Sequence, residues 1–356
     1  MQINSFNSKI FVETTIGPEL AESVEALAPS QIFIISDENT HKYCVPHLED
    51  LPGHIPVQEF LIGQGESAKG LDTVVTLWQH LQDKGADTGS LVLSVGGGML
   101  LDVAGFAAAT FKRGLRLIHM PTTLLAMVDA SVGGKTGFNF NRYKNHIGAF
   151  HIPDYVLIYP RFLSSLDPRQ LHAGWAEMIK HGLIQSRTHF EQLTLGPPGQ
   201  RPLREMARLI RDSVDIKNYY VTTDPYESGV RKALNFGHTI GHALESLSVE
   251  KNTPLLHGEA IAFGLLCEYQ LSMNHFGIEP GPYHQLREFV DLHYPGFPFM
   301  TGDLDRVFKY LDQDKKNKGE KINFTLLEEI GRPVVDQYAG RDEIEQVLKT
   351  LMPTND

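Results

Sequence analysis

Residues 91–110 read in order as a strand, a glycine turn and a helix, and this segment constrains the fold most strongly. Residues 91–95, Leu-Val-Leu-Ser-Val, form a continuous apolar run that is typical of a strand buried in a parallel sheet. Three glycines at 96–98 follow, and an alanine-rich helix is predicted over 99–110 with Asp102 in its first turn. Bare backbone amides and a helix N-terminus at such a turn bind phosphate groups. Because the glycines do not form the G-x-G-x-x-G fingerprint, the segment indicates a phosphate site without specifying a dinucleotide.

The two halves of the chain differ in their hydrophobic patterns. Short apolar runs at 31–36, 57–62, 116–119 and 155–159 predict further strands, and residues 70–84 have helical spacing. After residue 166 strand-like runs nearly vanish and helical spacing dominates. We therefore predict an alternating β/α first half, a mostly helical second half and a domain boundary near residue 166.

The composition excludes several classes of protein. A length of 356 residues suggests two domains, and the net charge of −11 argues against nucleic acid as a partner. No apolar run approaches the roughly 20 residues that a membrane span needs. Cys44 and Cys267 form no C-x-x-C pair, and the N-terminal residues do not resemble a signal peptide. We therefore expect a cytoplasmic protein without disulfides.

Three histidines and a glutamate make a candidate metal site. His238 and His242 are four residues apart and share one face of a helix, and His257 follows a break at residues 252–254. Upstream, Glu177 precedes Lys180 by one helical turn. Two imidazoles and a carboxylate leave an open position on a catalytic zinc ion. The alternative is a pair of capping or surface histidines, because His-x-x-x-His occurs on many helices without metal.

Polar residues upstream of these histidines recur at helical intervals. The set, spaced 4, 4, 3 and 4 residues apart, is Glu227, Arg231, Asn235, His238 and His242. A continuous helix would place them on one face, unless Gly237 interrupts it. Interleaved apolar residues indicate that this face is partly enclosed.

Two segments of the first half are candidate ligand sites. Asp37 and Asn39 follow a predicted strand, where ligands of α/β sheets bind, although a helix cap is the alternative for this position. Gly-Gly-Lys-Thr at 133–136 resembles the end of a P-loop, but Asp129 stands where that motif requires glycine. We therefore reject an NTPase and predict a polar ligand-binding loop over residues 129–145.

Several motifs together resemble the 3-dehydroquinate synthase family of sugar-phosphate cyclases, from about Asp37 to residues 314–316. The motifs are Gly-Gly-Gly at 96–98 with Asp102, Pro-Thr-Thr-Leu-Leu-Ala at 121–126, Asp-Ala-Ser-Val-Gly-Gly-Lys-Thr-Gly at 129–137, Lys-Asn at 144–145, Ala-Glu-Met-Ile-Lys at 176–180, Asn-Phe-Gly-His-Thr-Ile-Gly-His at 235–242 and Leu-His-Gly-Glu-Ala at 256–260. Their combination in this order is highly specific. Two departures are Leu101, where the family usually has glycine, and Trp175, where a smaller residue is common.

The resemblance implies a Rossmann-like NAD-binding domain over residues 1–166 and an all-helical metal- and substrate-binding domain over 167–356. It implies zinc or cobalt on Glu177, His238 and His257, with His242 near the metal. Substrate contacts or catalytic roles would come from Asp129, Lys135, Asn145, Lys180, Lys217, Arg231, Asn235, His242 and one of Lys315 and Lys316, of which we favour Lys316, and the helical spacing adds Glu227. Arg113 would reach the substrate from the neighbouring subunit of a homodimer. NAD contacts would come from Asp37, Asn39, Glu66, Lys69, Gly97, Gly98, Asp102, Thr122, Thr123, Lys135 and Lys144.

The implied activity is conversion of 3-deoxy-D-arabino-heptulosonate 7-phosphate to 3-dehydroquinate and phosphate by a carbon–oxygen lyase of the shikimate pathway. NAD would oxidise C5 transiently, phosphate would be eliminated, and re-reduction, ring opening and aldol closure would follow. The lysines and arginines of the implied site suit a phosphorylated acid. The alternatives are another sugar-phosphate cyclase, a glycerol-dehydrogenase-like NAD- and metal-dependent dehydrogenase, and a non-catalytic NAD-binding regulator. A regulator would be expected to have lost a metal ligand or His242, and the sequence retains them all.

Overall fold

A computed structural model describes residues 2–48, 50–141, 143–312 and 321–352. The chain divides into two compact units, the first formed by Met1–Asp167 and Pro202–Asn218 and the second by Pro168–Arg201 and Tyr219–Asp356. The predicted domains, 1–166 and 167–356, differ from these units in the placement of the segment Pro202–Asn218.

The first unit is built on a seven-stranded sheet with an additional hairpin. Its strands are β1 (Gln2–Ser5), β2 (Ser8–Val12), β3 (Ile32–Ser36), β4 (Val57–Leu61), β5 (Leu91–Gly96), β6 (Arg116–Pro121), β7 (Lys135–Phe140), β8 (Tyr143–Phe150) and β9 (Tyr155–Ile158). The sheet order is β1-β2-β9-β6-β5-β3-β4, and every pair in it is parallel except β1 and β2. The helices are α1 (Gly17–Leu27), α2 (Glu38–Tyr43), α3 (Leu71–Asp83) and α4 (Gly98–Thr110). The prediction of an alternating α/β first part is confirmed.

The order of the strands positions the candidate ligand edge. The side of the sheet to which successive strands are added changes at β3. The next strand, β4, pairs with one edge of β3, and the strand after it, β5, pairs with the other edge. Ligands of open α/β sheets bind beyond the carboxyl ends of strands at such a switch point. Gly96 ends β5, Gly97 and Gly98 follow it, and Asp37 follows β3, so these residues lie at this edge.

Helix α4 is buried on nearly all sides, which explains its apolar composition. Leu101 is 1% exposed and belongs to a core formed with α3 and the sheet. A side chain at Gly105 would meet Thr136 on β7, since its Cβ would lie 2.7 Å from the Thr136 Cγ2. Because α4 begins at Gly98, Asp102 lies in its second turn. The prediction that Asp102 lies in the first turn of this helix was therefore wrong.

The prediction of a polar loop over residues 129–145 was wrong for its second part. A short π-helical segment at Ala126–Ala130 leads into the antiparallel hairpin of β7 and β8. The hairpin was missed because its apolar residues alternate with glycine and polar residues. Its inward side chains, Thr136 and Phe138, are buried, whereas Lys135 is exposed.

The second unit is mainly helical. Its helices are α5 (Pro168–Gln185), α6 (Arg187–Thr194), the end of α7 (Leu203–Thr223), α8 (His238–Glu250), α9 (His257–Phe276), α10 (Gly281–His293), α11 (Leu304–Leu311) and α12 (Arg341–Lys349). The helical character of the second part is confirmed, and the predicted break between the histidine helices is the loop between α8 and α9.

One hairpin corrects the prediction that this part is all-helical. Strands β10 (Ile322–Glu329) and β11 (Arg332–Ala339) pair antiparallel. Gly331 makes the turn with a positive φ of 89°, a conformation that glycine adopts without steric cost. Among the described residues, none of the helices has the length and apolar character required to cross a bilayer.

Candidate functional site

Glu177 lies in the middle of α5 and is 1% exposed. Lys180, one turn later and 2% exposed, forms an ion pair with it. Burying two charges is costly unless they are paired, so the pair keeps an anionic carboxylate inside the helical unit. The same carboxylate also faces two histidines, and this arrangement could bind a metal ion.

His238 is the first residue of α8. The preceding Gly237 has a φ of 82°, and a Cβ there would lie 2.6 Å from the Leu265 side chain, so only glycine fits this turn. The interruption of the polar face at Gly237 is thereby confirmed. The Nδ1 of His238 lies 3.2 Å from the carbonyl oxygen of Phe236, which accepts its hydrogen bond, so Nε2 is the ring nitrogen that could bind a metal.

His257 is the first residue of α9, which the loop after α8 brings back to the same place. The Nδ1 of its ring donates a hydrogen bond to Glu245 Oε2 over 3.1 Å. Its Nε2 therefore faces the other way, towards Glu177. Both histidines thus offer the same ring nitrogen.

The three groups converge on one point. The Nε2 atoms of His238 and His257 each lie 3.5 Å from Oε1 of Glu177. Two ligand atoms about 2.1 Å from a tetrahedral zinc ion are about 3.4 Å apart, so these separations fit a metal-binding set. One nitrogen from each of His238, His242 and His257 also lies within 4.8 Å of the others.

The surroundings of each group set its charge. Burial alone would raise the pKa of Glu177, but Lys180, His238 and His257 together hold it well below its usual value. Burial, and then the charge of Lys180, holds the pKa of His238 well below its usual range. Burial opposes protonation of His257, yet its contacts with Glu177 and Glu245 raise its pKa to about 10. A metal ion would replace that proton, because imidazole binds metal in its neutral form.

The other predicted site residues of the second unit lie on α8 or in the segment that precedes it. The His242 ring centroid lies 5.1 Å from that of His238 and 5.6 Å from that of His257. Asn235 donates to Glu227 Oε1 over 2.8 Å, which brings these two predicted residues together. Arg231 is 4% exposed and donates to the carbonyl oxygen of Pro225.

A cavity of about 310 Å³ opens beside the histidines. Its lining residues are Lys232, Asn235, His238, Thr239, His242, Ala243, Ser246, Tyr310, Leu311, Asn323, Thr325 and Asp336. Three of them, Asn235, His238 and His242, were predicted from the sequence. The unpredicted hairpin contributes Asn323 and Thr325 of β10 and Asp336 of β11 to this lining.

In the first unit, the glycine turn has little room for side chains. A Cβ on Gly97 would lie 3.2 Å from Thr123 Cγ2, and one on Gly98 would lie 3.0 Å from the Cβ of Ala130. Thr122 donates its backbone N–H to Gly96, so the ends of β5 and β6 are joined there. The turn therefore presents backbone amides at the start of α4.

The other predicted NAD residues lie around the same strand ends or on the hairpin. Asp37 caps α2 by accepting a hydrogen bond from the Thr40 N–H over 2.8 Å, so the helix cap that was the alternative to a ligand contact is present. Asn39 is exposed in the same helix. Lys69 Nζ lies 2.6 Å from Asp102 Oδ2, which pairs two predicted residues. Glu66 accepts a hydrogen bond from Asn139 on β7, and the exposed Lys144 lies on β8.

The remaining predicted substrate residues lie in three places. Lys217, 6% exposed, bonds both the carboxylate and the carbonyl of Asp129. Lys135 and Asn145 lie on the two strands of the β7–β8 hairpin, where Asn145 has a φ of 55°. Arg113 is exposed after α4 with a φ of 67°. Lys315 and Lys316 lie outside the described residues.

Sequence reasoning missed the carboxylates that hold the ligand helices. Glu245 contacts His257, and it was detectable because 238, 242 and 245 share one helical face. Glu268 accepts backbone N–H bonds from Gly237 and Ile240 at the start of α8. Glu259 pairs with Arg169 and thereby joins α9 to α5. The last two contacts span 31 and 90 residues, so no local pattern predicts them.

Family models and a relative match this chain over most of its length. The model described as 3-dehydroquinate synthase N-terminal matches residues 59–173, and that described as 3-dehydroquinate synthase C-terminal matches residues 174–317. A 3-dehydroquinate synthase of Parabacteroides distasonis is 41% identical over 340 residues, which are 96% of each chain.

Two solved structures of cyclases have similar folds. A 2-deoxy-scyllo-inosose synthase complexed with carbaglucose-6-phosphate, NAD+ and Co2+ has a TM-score of 0.84 and 26% identity, with coverage of 99% of this chain and 100% of the other. The 2-epi-5-epi-valiolone synthase from Streptomyces hygroscopicus subsp. jinggangensis, with NAD+ and Zn2+ bound, has a TM-score of 0.80 and 25% identity, with coverage of 98% of both chains. The similarity extends over nearly the whole chain.

Proposed function

Because the chain belongs to the 3-dehydroquinate synthase family, we propose that it converts 3-deoxy-D-arabino-heptulosonate 7-phosphate to 3-dehydroquinate and phosphate. The reaction class is that of a carbon–oxygen lyase that eliminates phosphate and closes a carbocycle. The observation that carries the proposal is the convergence of His238 and His257 on the buried carboxylate of Glu177.

Glu177, His238 and His257 are the proposed ligands of a divalent metal ion, zinc or cobalt. The support is the donor set itself, two imidazole nitrogens and a carboxylate at separations that suit a tetrahedral ion. The related cyclases of known structure contain Co2+ and Zn2+. His242, whose ring centroid lies 5.1 Å from that of His238, is assigned a proton-transfer role.

NAD is the proposed second cofactor, bound by the first unit. The narrow glycine turn after β5 suits a pyrophosphate, because a side chain at Gly97 or Gly98 would meet Thr123 or Ala130. The remaining proposed contacts are Asp37, Asn39, Glu66, Lys69, Asp102, Thr122, Thr123, Lys135 and Lys144. NAD+ accompanies the metal in both related cyclases.

When bound, NAD accepts and returns a hydride and the metal ion polarises the oxygens at the carbon that is oxidised. The residues of the chain bind and orient the substrate and move its protons. Lys180 and Arg231 in the second unit, and Lys135 and Lys217 in the first, are assigned to the phosphate and carboxylate groups. Asp129, Asn145, Asn235 and Glu227 position the hydroxyl groups or the cations, and His242 transfers the proton.

The protein is proposed to act as a homodimer in the cytoplasm. The proposed set of cations that bind the substrate also includes Lys316 and Arg113. Arg113 would come from the neighbouring subunit. Cys44 and Cys267 are buried free thiols, which suits a reducing compartment. Burial, and then the charge of Asp37, raises the pKa of Cys44 to about 12, so this thiol remains protonated and unreactive.

The test is an assay of phosphate release with purified protein, the heptulosonate phosphate, NAD and zinc or cobalt. We expect phosphate and 3-dehydroquinate in equal amounts, loss of activity on chelation and recovery when metal returns. Glu177→Gln should lose both metal and activity, whereas Glu191→Gln, on the exposed side of α6, should keep both. Release of phosphate only from a different sugar phosphate would indicate a sister cyclase instead.

A further inference from the structure

The ring of His257 is held at both of its nitrogens. Its Nε2 lies 3.5 Å from Glu177, and its Nδ1 donates to Glu245 Oε2 over 3.1 Å. Glu245 lies on α8, whereas His257 opens α9. A side chain on one ligand helix thus fixes the ring orientation of a ligand on the next.

Glu245 is itself attached to the loop that delivers His257. The Ser248 hydroxyl donates to the carbonyl oxygen of Glu245 over 2.6 Å, and it accepts the backbone N–H of Leu255 over 3.0 Å. Ser248 is fully buried. The loop and the backbone of Glu245 therefore share one anchoring point.

The backbone of His257 has a separate support. Glu259 accepts the Leu256 N–H over 2.7 Å and pairs with Arg169 on α5. These bonds locate the start of α9, but none of them reaches the imidazole ring. Ring orientation and backbone placement are therefore separable by mutation.

We propose that Glu245 is a positioning residue that orients His257 as a metal ligand by accepting its Nδ1 proton. The inference rests on the proposed function, since it deepens the metal site of Glu177, His238 and His257. A carboxylate that accepts the second ring proton fixes the tautomer and strengthens the imidazole as a donor. Loss of such a partner typically weakens metal binding by about 10–100-fold.

Glu245 is not itself a ligand in this arrangement. It contacts Nδ1, and the ring of His257 separates it from the point where Nε2 meets Glu177. The equivalent acceptor for His238 is the carbonyl oxygen of Phe236, which no side-chain substitution removes. Glu245 is therefore the member of this outer set that mutagenesis can address directly.

The experiment measures affinity for Zn2+ and Co2+ by competition with a chelator in the full-length protein. We expect Glu245→Ala to bind metal about 10–100-fold more weakly than wild type and Glu245→Gln to be intermediate, because an amide oxygen still accepts the Nδ1 proton. The absorption spectrum of the cobalt form should change in Glu245→Ala. The matched control is Glu250→Gln on the same helix, whose carboxylate bonds Arg306 and Tyr310, and it should bind metal like wild type.

The outcomes separate this role from the metal site itself. Wild type that binds no metal would overturn the proposed site and the role of Glu245 together. If wild type and Glu245→Ala bind metal with equal affinity, only the proposed role of Glu245 is overturned. Thermal unfolding of the metal-free proteins shows whether each variant folds. If Glu245→Ala does not fold, Glu245→Gln decides. Unchanged metal affinity and an unchanged cobalt spectrum in Glu245→Gln would then contradict the proposal.

Discussion

Glu177 and Glu268 are both fully buried glutamates on helices, yet their surroundings give opposite pKa shifts. Burial opposes ionisation of Glu177, but Lys180 and the two histidines hold its pKa well below the usual value. Burial raises the pKa of Glu268 to about 8, although the hydrogen bonds that it accepts from backbone N–H groups act in the opposite direction. Glu177 is therefore an anion available to a metal, whereas Glu268 serves to hold the first turn of α8.

A pH dependence of stability follows from a third buried group, His119 on β6. It is 3% exposed and shares a hydrogen bond of 2.6 Å with Ser94. Burial, and then the charge of His151, lowers the pKa of His119 from 6.5 to about 3. Above pH 6.5 both folded and unfolded chains hold it neutral, so it adds no pH dependence there. As the pH falls from 6.5 towards 3, the unfolded chain gains a proton that the folded chain excludes, and stability is lost.

We therefore expect His119 to contribute about 2 kcal/mol to the loss of unfolding free energy between pH 7 and pH 5. Urea unfolding of wild type and His119→Gln at both pH values measures this difference. The variant removes the titrating group, so its unfolding free energy should fall less over the interval. Equal losses in the two proteins would contradict the assignment.

At the scale of elements, the sequence predicted what continuous apolar runs specify. Strands β3, β5 and β6 and helix α4 are buried on both sides, so their composition alone indicated them. The hairpins β7–β8 and β10–β11 escaped prediction because each combines apolar residues with polar residues or glycine, and their pairing depends on contacts outside the local pattern.

The candidate metal ligands could be named from the sequence for a different reason. The spacing of His238 and His242, and the motifs that carry the family resemblance, are local features of the sequence. Apart from Glu245, the supports described above are not local, because Glu268 bonds the backbone of Gly237, 31 residues earlier, and Arg169 pairs with Glu259, 90 residues later. Sequence reasoning therefore identified the candidate ligands but not the bonds that fix their orientation.

The glycine turn before α4 provides a prediction at this scale. Gly98→Val would press a branched side chain against Ala130, since even a Cβ would lie 3.0 Å from the Ala130 Cβ. The start of α4 would shift and its amides would no longer fit a pyrophosphate. We expect NAD affinity to fall at least about tenfold, because misplacing a bond to a charged group costs about 1.5–3 kcal/mol.

The comparison for this variant uses calorimetric titration with NAD. Gly53→Val is the matched control, because a Cβ at Gly53 meets nothing within 4 Å. Metal content should stay unchanged in both, since the proposed metal ligands belong to the second unit. Wild-type NAD affinity in a folded Gly98→Val protein would remove the turn from the NAD site.

For the whole molecule, the placement of positive charge is the informative feature. The net charge is −11, yet Lys180, Lys217 and Arg231 are 2%, 6% and 4% exposed. Burying a cation costs free energy, and in each case local acceptors offset part of it: Glu177, Asp129 and the Pro225 carbonyl. Buried cations of this kind suit an anionic ligand such as the proposed sugar phosphate.

The proposed sharing of Arg113 between subunits can be tested by complementation. Arg113→Ala and His242→Ala should each be inactive alone. When they are mixed under conditions that exchange subunits, a hybrid dimer contains one site with both wild-type residues. Random exchange should restore about a quarter of wild-type activity, because half of the dimers are hybrids with one intact site each. Proven exchange without recovered activity would place Arg113 in the site of its own subunit or outside any site.

The last prediction concerns the fate of NAD. The glycine turn after β5 suits a dinucleotide, while the buried cations suit a phosphorylated acid, and a simple dehydrogenase of neutral polyols has no need of the second group. In the proposed cyclase the oxidation serves only to make phosphate elimination possible, so the hydride must return to the substrate and NAD must leave each cycle unchanged. With NAD far below the substrate concentration, we expect phosphate to exceed NAD many times over while absorbance at the NADH band stays near its starting value. Phosphate release and absorbance should be recorded in the same reaction, with Glu250→Gln as a control for intact turnover. NADH that accumulates in proportion to substrate consumed would show that the hydride does not return, and the protein would then be a dehydrogenase on the same fold.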